Sequence, residues 1–208
     1  VIAAKVGADI PTKAEFSEFY ALLREMTGAA DAAGIQQVIP GISLGYQLVK
    51  FADGSFGGLT AALLQPYKHE EDNRGLLIHS DEQFENYIKE ARRVGEAIAV
   101  HMIGDRAAEQ VITMIEKYPT PSGKRDRLIH CCLLTESQIE RMKKLAIVLD
   151  IQPSFVLSDF PWVEQKLGKN RLPLAYAWKT LSNFPCAMGT DAPIEDVNPF
   201  ATIYAAVT

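Results

Sequence analysis

The sequence predicts an α/β fold on a parallel sheet, arranged as a TIM-type (β/α)8 barrel. Three observations carry that prediction. Short β-like runs alternate with helical stretches along the chain. Four strands end on a polar or ionisable residue, Lys50, His101, His130 and Asp191, and the residues behind them are often small, as a tight barrel interior permits. The spacings fit as well: 130 − 101 = 29 residues is about one βα unit, and 191 − 130 = 61 is about two, in a barrel of roughly 250 residues.

The elements follow in order. Thr12 with Glu15 reads as a capping box opening a helix with Phe16, Phe19, Tyr20, Leu23 and Met26 on one face, ended by Gly34. A strand lies at about Tyr46 to Ala52. The longest irregular stretch, Asp53 to His79, has the length of a functional loop. Ser80 with Gln83 caps a helix whose buried stripe is Phe84, Tyr87, Ile88, Ala91 and Val94. Ala97 to His101 is a strand, and Asp105 caps the helix carrying Ala108, Val111, Ile112 and Ile115. Arg127 to His130 is a strand, and Thr135 with Gln138 opens a helix with Ile139, Met142 and Leu145. Ala146 to Ile151 and Cys186 to Gly189 are strands. No repeat or linker divides the chain, so residues 1–208 read as a single unit.

Strand phase brings the polar ends together. Residues two and four back share a side chain's face. Ala99 and Ala97 lie behind His101, Gly189 and Ala187 behind Asp191, Leu48 and Tyr46 behind Lys50, and Leu128 behind His130. The other face carries Val49, Phe51, Ile98, Val100, Ile129 and Met188, bulky enough to pack on outer helices. The four polar residues are thus expected to converge at the C-terminal mouth, where active sites of such barrels sit. Two His and a carboxylate are ligand types a divalent metal needs. Hydrogen-bonded structural histidines remain the competing interpretation.

Composition bounds the function. The 208 residues are 48% hydrophobic and 23% charged, with net charge −5. No basic stripe points to nucleic acid. No apolar run reaches the roughly 20 residues of a membrane span. Three Cys make no disulfide framework, which suits a reducing, cytoplasmic setting. Cys131 and Cys132 are expected as buried small hydrophobes.

Four segments together identify a resemblance. They are Val49 to Ser55 (VKFADGS), His101 to Ala107 (HMIGDRA), Gln152-Pro153-Ser154 followed by Ser158 to Trp162 (SDFPW), and Gly189 to Pro193 (GTDAP). The chain resembles the amidohydrolase superfamily, specifically the amidohydrolase family 3 group of metal-dependent hydrolases, from about residue 46 onward. The resemblance implies that His101 and His130 are ligands on the fifth and sixth barrel strands. It implies that Asp191 on the eighth binds metal and handles the proton as the catalytic residue. Lys50 would be the fourth-strand lysine, a ligand if carboxylated, because an ammonium has no lone pair. One or two divalent ions, zinc foremost, are implied. So is hydrolysis of a non-peptide, amide-type C–N bond in a small-molecule substrate by metal-activated water. Phe155, Trp162 and Asp53 are candidate substrate contacts. Trp162, Phe155 and Phe160 follow the seventh strand, where lining a substrate pocket and packing within a loop are both open, and Asp105 and Arg106 are expected as a helix cap and a surface ion pair.

The sequence departs from the family in places. Ile129 precedes His130 and Cys131-Cys132 follow it, where Glu and Ala-Gln are usual, and Phe155 stands where many members have His. The superfamily's first-strand His-x-His pair is absent: no two of His69, His79, His101 and His130 are separated by one residue. A partial barrel covering roughly strands three to eight is therefore expected, without the first strands or the small terminal β domain. Such a fragment is expected to be inactive alone and to hold metal poorly, with exposed strand edges that leave homo-oligomerisation open. Two other classes stay open: an aldolase-type barrel with Lys50 as Schiff base, and a catalytically inactive barrel serving as a binding or regulatory module.

Overall fold

The computed structural model describes residues 49–207, which belong to Gln47–Thr208, the second of two units into which the chain divides. The helix expected between Thr12 and Gly34 and the strand start at Tyr46 lie outside the described residues.

Five strands form one sheet: β1 (Val49–Phe51), β2 (Ala99–Met102), β3 (Asp126–His130), β4 (Ile147–Ile151) and β5 (Cys186–Met188). Their order is sequential and each neighbouring pair is parallel. Sequential order marks a barrel wall wound in one direction; a doubly wound sheet would reverse at a switch point. Helices α1 (Asp81–Arg93), α2 (Asp105–Lys117) and α3 (Glu136–Met142) follow β1, β2 and β3 as crossovers. Between β4 and β5 run α4 (Phe155–Leu167), a 3₁₀ turn (Lys169–Leu174) and α5 (Trp178–Leu181), and α6 (Pro199–Val207) follows β5. This is a partial TIM-type barrel, as predicted.

The core lies between sheet and helices. Val100, Met102, Leu128 and Leu149 from the strands meet Phe84, Ile88, Val111, Ile115 and Met142 from the helices. Each such side chain, fully buried, contributes about 1.5–3 kcal/mol by leaving water. Cys131 and Cys132 are buried, and burial pushes both thiols up. They are packing residues and poor nucleophiles.

Ser80 and Thr135 form complete capping boxes with Gln83 and Gln138. Three local expectations are corrected. Asp105 is not the cap of α2: Gly104 holds that position, and the buried Asp105 carboxylate accepts from Leu64 N–H at 2.8 Å. Nor are Tyr87 and Val94 on a buried stripe: they are 38% and 55% exposed, because α1 buries the narrower face of Phe84 and Ile88. Finally, Phe155, Phe160 and Trp162 lie on helix α4 and not in a loop. Pro161 inside that helix and its weak apolar period conceal it in the sequence.

The sheet's lower rim is held by Asp126, which is fully buried. Its carboxylate accepts from Arg92 Nη1 (3.0 Å) and Nη2 (2.6 Å), from Ile98 N–H (2.8 Å) and from Thr120 Oγ1 (2.6 Å). One acidic side chain of β3 thus joins α1 and the residue that leads into β2. Asp126→Ala leaves the Arg92 charge unpaired, with only the Tyr118 and Glu96 carbonyls as acceptors, and strips the Ile98 N–H of its acceptor; it should cost about 3–5 kcal/mol. Urea denaturation checks this; a loss below about 1 kcal/mol would put the network in the range of a surface ion pair.

Candidate functional site

The structure brings two histidines together at the C-terminal ends of adjacent strands. The rings of His101 (β2) and His130 (β3) lie 4.6 Å apart, edge to face, and both residues are nearly buried. Each ring has one nitrogen committed. His101 Nε2 meets Gly54 O at 3.0 Å, and His130 Nδ1 meets Gln152 Oε1 at 2.7 Å. Gln152 Nε2 donates to Asp150 O (3.1 Å), which turns the amide oxygen towards the ring. A carbonyl oxygen only accepts, so the facing nitrogen carries the proton in both cases. That leaves a lone pair on His101 Nδ1 and another on His130 Nε2. A metal-binding His characteristically has its second nitrogen anchored on an acceptor in this way. Burial, and after it the neighbouring His101, lower the pKa of His130 to about 3, with the Gln152 bond only partly opposing them. The ring is therefore neutral at ordinary pH, the state in which imidazole ligates.

How His130 gets there differs from the phase argument. In register, Phe51 pairs with His101 and His101 with Ile129, while Lys50 pairs with Val100 and Val100 with Leu128. Registered neighbours share a face, so Phe51 and Ile129 lie with His101; indeed the Phe51 and His101 rings are 4.9 Å apart. Lys50 and Leu128 lie on the helix-facing side. Alternation fixes phase within a strand, but register sets the phase between strands, and no single strand's sequence states it. His130 pairs with Met102 and would follow Leu128 outward. Its φ of +73°, followed by +54° at Cys131, breaks the alternation and turns the ring to His101. A left-handed non-glycine residue costs on the order of 1–3 kcal/mol, and such strain gathers at functional sites.

The expected place of Lys50 is corrected by the same register. Its ammonium sits 3.8 Å over the Tyr87 ring of α1, on the far side of the strand from His101. Burial lowers its pKa.

Asp53 is also corrected. It was expected to contact substrate, but it is fully buried. Its carboxylate accepts from Ala62 N–H (2.9 Å), Ile103 N–H (3.0 Å) and Gly104 N–H (2.8 Å), and Oδ1 stands 3.5 Å from His101 Nε2. It positions the loop, and through Gly54 the His101 ring.

Asp191 lies in the turn after β5 with φ +53°. Partial burial raises its carboxyl pKa, His101 opposes that rise and Asp150 adds to it. Among the described residues no group of three or more His, Cys, Asp or Glu is gathered closely enough to hold an ion. The structure joins His101 and His130, and leaves Asp191 and Lys50 outside that pair. The two free imidazole nitrogens fit a divalent ion as two of the three protein ligands that catalytic zinc sites usually have.

Phe155 and Trp162 line a cavity of about 190 Å³. Phe155 also stacks on His130, with ring centroids 5.8 Å apart and planes at 13°. The cavity therefore opens beside the histidine pair. Two functional residues escaped sequence reasoning. Gln152 carries a readable signal: it is a polar residue at the end of β4, two places after Asp150. The Gly54 carbonyl carries none, because a backbone acceptor has no sequence signature.

In metal-free protein, His130 should remain neutral far below its ordinary range. The unfolded chain takes up that proton near pH 6.5, and the folded protein only near 3. Stability should therefore fall as pH drops through that window. Urea midpoints across it, compared with those of His130→Gln, test the linkage; equal slopes for the two proteins would remove His130 as its source.

The Bacillus subtilis (strain 168) protein YtcJ, named for an amidohydrolase, is 49% identical over 159 residues, 76% of this chain and 30% of its own length. The Arabidopsis thaliana protein LONG AFTER FAR-RED 3 is 33% identical over 163 residues, 76% of this chain and 28% of its own. The chain thus spans under a third of the curated relatives it matches. A crystal structure of an uncharacterized metal-dependent hydrolase from Pyrococcus furiosus superposes with TM-score 0.70 and 34% identity, over 77% of this chain and 33% of that one. The profile of the amidohydrolase family matches residues 47–208, and the chain belongs to that family, in its family 3 group.

Proposed function

We propose that the protein is a metal-dependent hydrolase that cleaves an amide-type, non-peptide C–N bond of a small molecule. The observation that carries this is the pair of adjacent imidazoles, each anchored through one nitrogen and free at the other. Membership of the amidohydrolase family and likeness to a metal-dependent hydrolase support it.

His101 Nδ1 and His130 Nε2 would hold a divalent ion, with Asp191 as a further ligand. Imidazole donors suit zinc among several divalent ions. When bound, such an ion lowers the pKa of water and polarises a carbonyl. The chain's own residues do the rest. Asp191, with its pKa raised, is suited to accept a proton from attacking water and return it to the leaving amine. Gly54 O and Gln152 Oε1 hold the imidazoles in the ligating tautomer. Phe155 and Phe51 cover the rings and limit water around them. A carbamate on Lys50 would join only with the side chain off Tyr87. The aldolase reading needs Lys50 open to the barrel mouth, and its seat on Tyr87 weighs against that. Three free cysteines among the described residues suit a reducing, cytoplasmic setting.

The test uses full-length protein. Elemental analysis should find a divalent metal that His101→Asn and His130→Asn remove, and chelation should abolish amide hydrolysis until metal is restored. Full hydrolysis by protein stripped of metal would overturn the reading. Asp191→Asn should lower kcat by about 10²–10⁴-fold with KM little changed, as expected for loss of a general acid–base. An unchanged kcat would exclude Asp191 from proton transfer.

A further inference from the structure

We propose that the cavity beside the histidine pair is a recognition site for an organic cation, an alkylammonium or trimethylammonium group carried by the substrate. This rests on the hydrolase reading for the word substrate, but the binding itself does not need it.

The walls are aromatic. Phe56, Phe155, Trp162 and Tyr176 line the cavity, with Phe56 and Tyr176 edge to face at 6.1 Å. Aromatic faces are negative, and several around one space attract a quaternary ammonium in particular. The charged groups on the lining are Asp159 and Glu195, both acidic. Among the described residues that line the cavity, none is basic. The two carboxylates are electrostatically coupled: burial raises the pKa of Asp159, Glu195 raises it further, and the Tyr176 hydroxyl, donating to Asp159 Oδ2 at 2.5 Å, opposes them. A cation placed between them relieves that repulsion, whereas an anionic or purely apolar ligand would leave it in place. Lys166 shows that Trp162 accepts a cation: its Nζ lies 5.3 Å from the ring centroid, anchored on Gly57 O at 2.8 Å, and Lys166 is not part of the lining.

The geometry is also held at a cost. Tyr176 is in the left-handed region at φ +50°, where a bulky side chain is an outlier. Its N–H donates to Cys132 O (2.6 Å) and its hydroxyl to Asp159, so its ring is fixed at the cavity from both ends. Phe155 forms the wall between the cavity and His130. A substrate seated by an ammonium here would have to reach the imidazole pair around the Phe155 ring.

The probes are choline and its uncharged isostere 3,3-dimethylbutan-1-ol, titrated into metal-free full-length protein by calorimetry. Trp162 fluorescence in a Trp178→Phe background gives a second readout. Choline should bind about tenfold or more tightly than the isostere, as a desolvated cation on aromatic faces should, and should perturb Trp162. Asp159→Asn with Glu195→Gln should remove most of that preference and leave isostere binding in place. Equal binding of the two probes, or binding of a divalent metal at Asp159 and Glu195 without choline, would overturn the proposal. Failure of the hydrolase reading looks different: choline binds, yet no amide is cleaved by metal-loaded protein. Hydrolysis of neutral amides with no choline binding would instead sink the cation site alone.

Discussion

The site depends on one buried carboxylate. Asp53 gathers three backbone N–H groups, two from the turn between β2 and α2 and one from Ala62 in the long loop. Hydrogen bonds to a charged acceptor contribute about 1.5–3 kcal/mol each, and leaving the donors unmet in the interior would cost a similar amount. This pins a loop of more than twenty residues to the end of β2. The next residue, Gly54, then presents its carbonyl to His101. Loop position, ring tautomer and the free imidazole nitrogen are consequences of one side chain that never reaches solvent.

The pair of rings gains its chemistry from being unlike in its surroundings. His130 is buried deeply enough to lose its positive charge, and Gln152 holds the proton that remains. His101 is anchored on a backbone carbonyl next to a carboxylate. On the same inner face Arg127 and Asp150 form an ion pair across β3 and β4. The interior of the wall is therefore polar at the mouth and along one stripe below it, while the apolar mass sits on the helix side.

Much of the fold was readable because it is written in local signals. Both capping boxes, the α2 stripe and the five strands rest on periodicity and on paired Ser/Thr–Gln positions, which the chain states within a few residues. What could not be read lives between elements. The side of Lys50 depends on which residue of β2 stands beside it, and β2 runs one residue past His101, to Met102. His130 was expected at the mouth and is there, but by a left-handed backbone turn that offsets the face its register assigns. Asp53 reads as a candidate substrate contact, since nothing in the sequence reveals that three amides from distant segments converge on it. Helix α4 was hidden by Pro161, a residue that argues against the helix it occupies.

The seam under the long loop is backbone against backbone. A Cβ at Gly104 would stand 2.0 Å from the carbonyl oxygen of Ala62, and one at Gly75 1.9 Å from that of Ala61. Neither contact involves a side chain that could shrink or rotate to absorb a change. Variation in this part of the molecule therefore has two regimes. Lengthening the loop is tolerable at its tip, around His69 to Asp72, where all four residues are exposed. Between Gly54 and Ala62, by contrast, one inserted residue would shift every carbonyl along the seam and leave the donors of β2 and α2 facing the wrong partners.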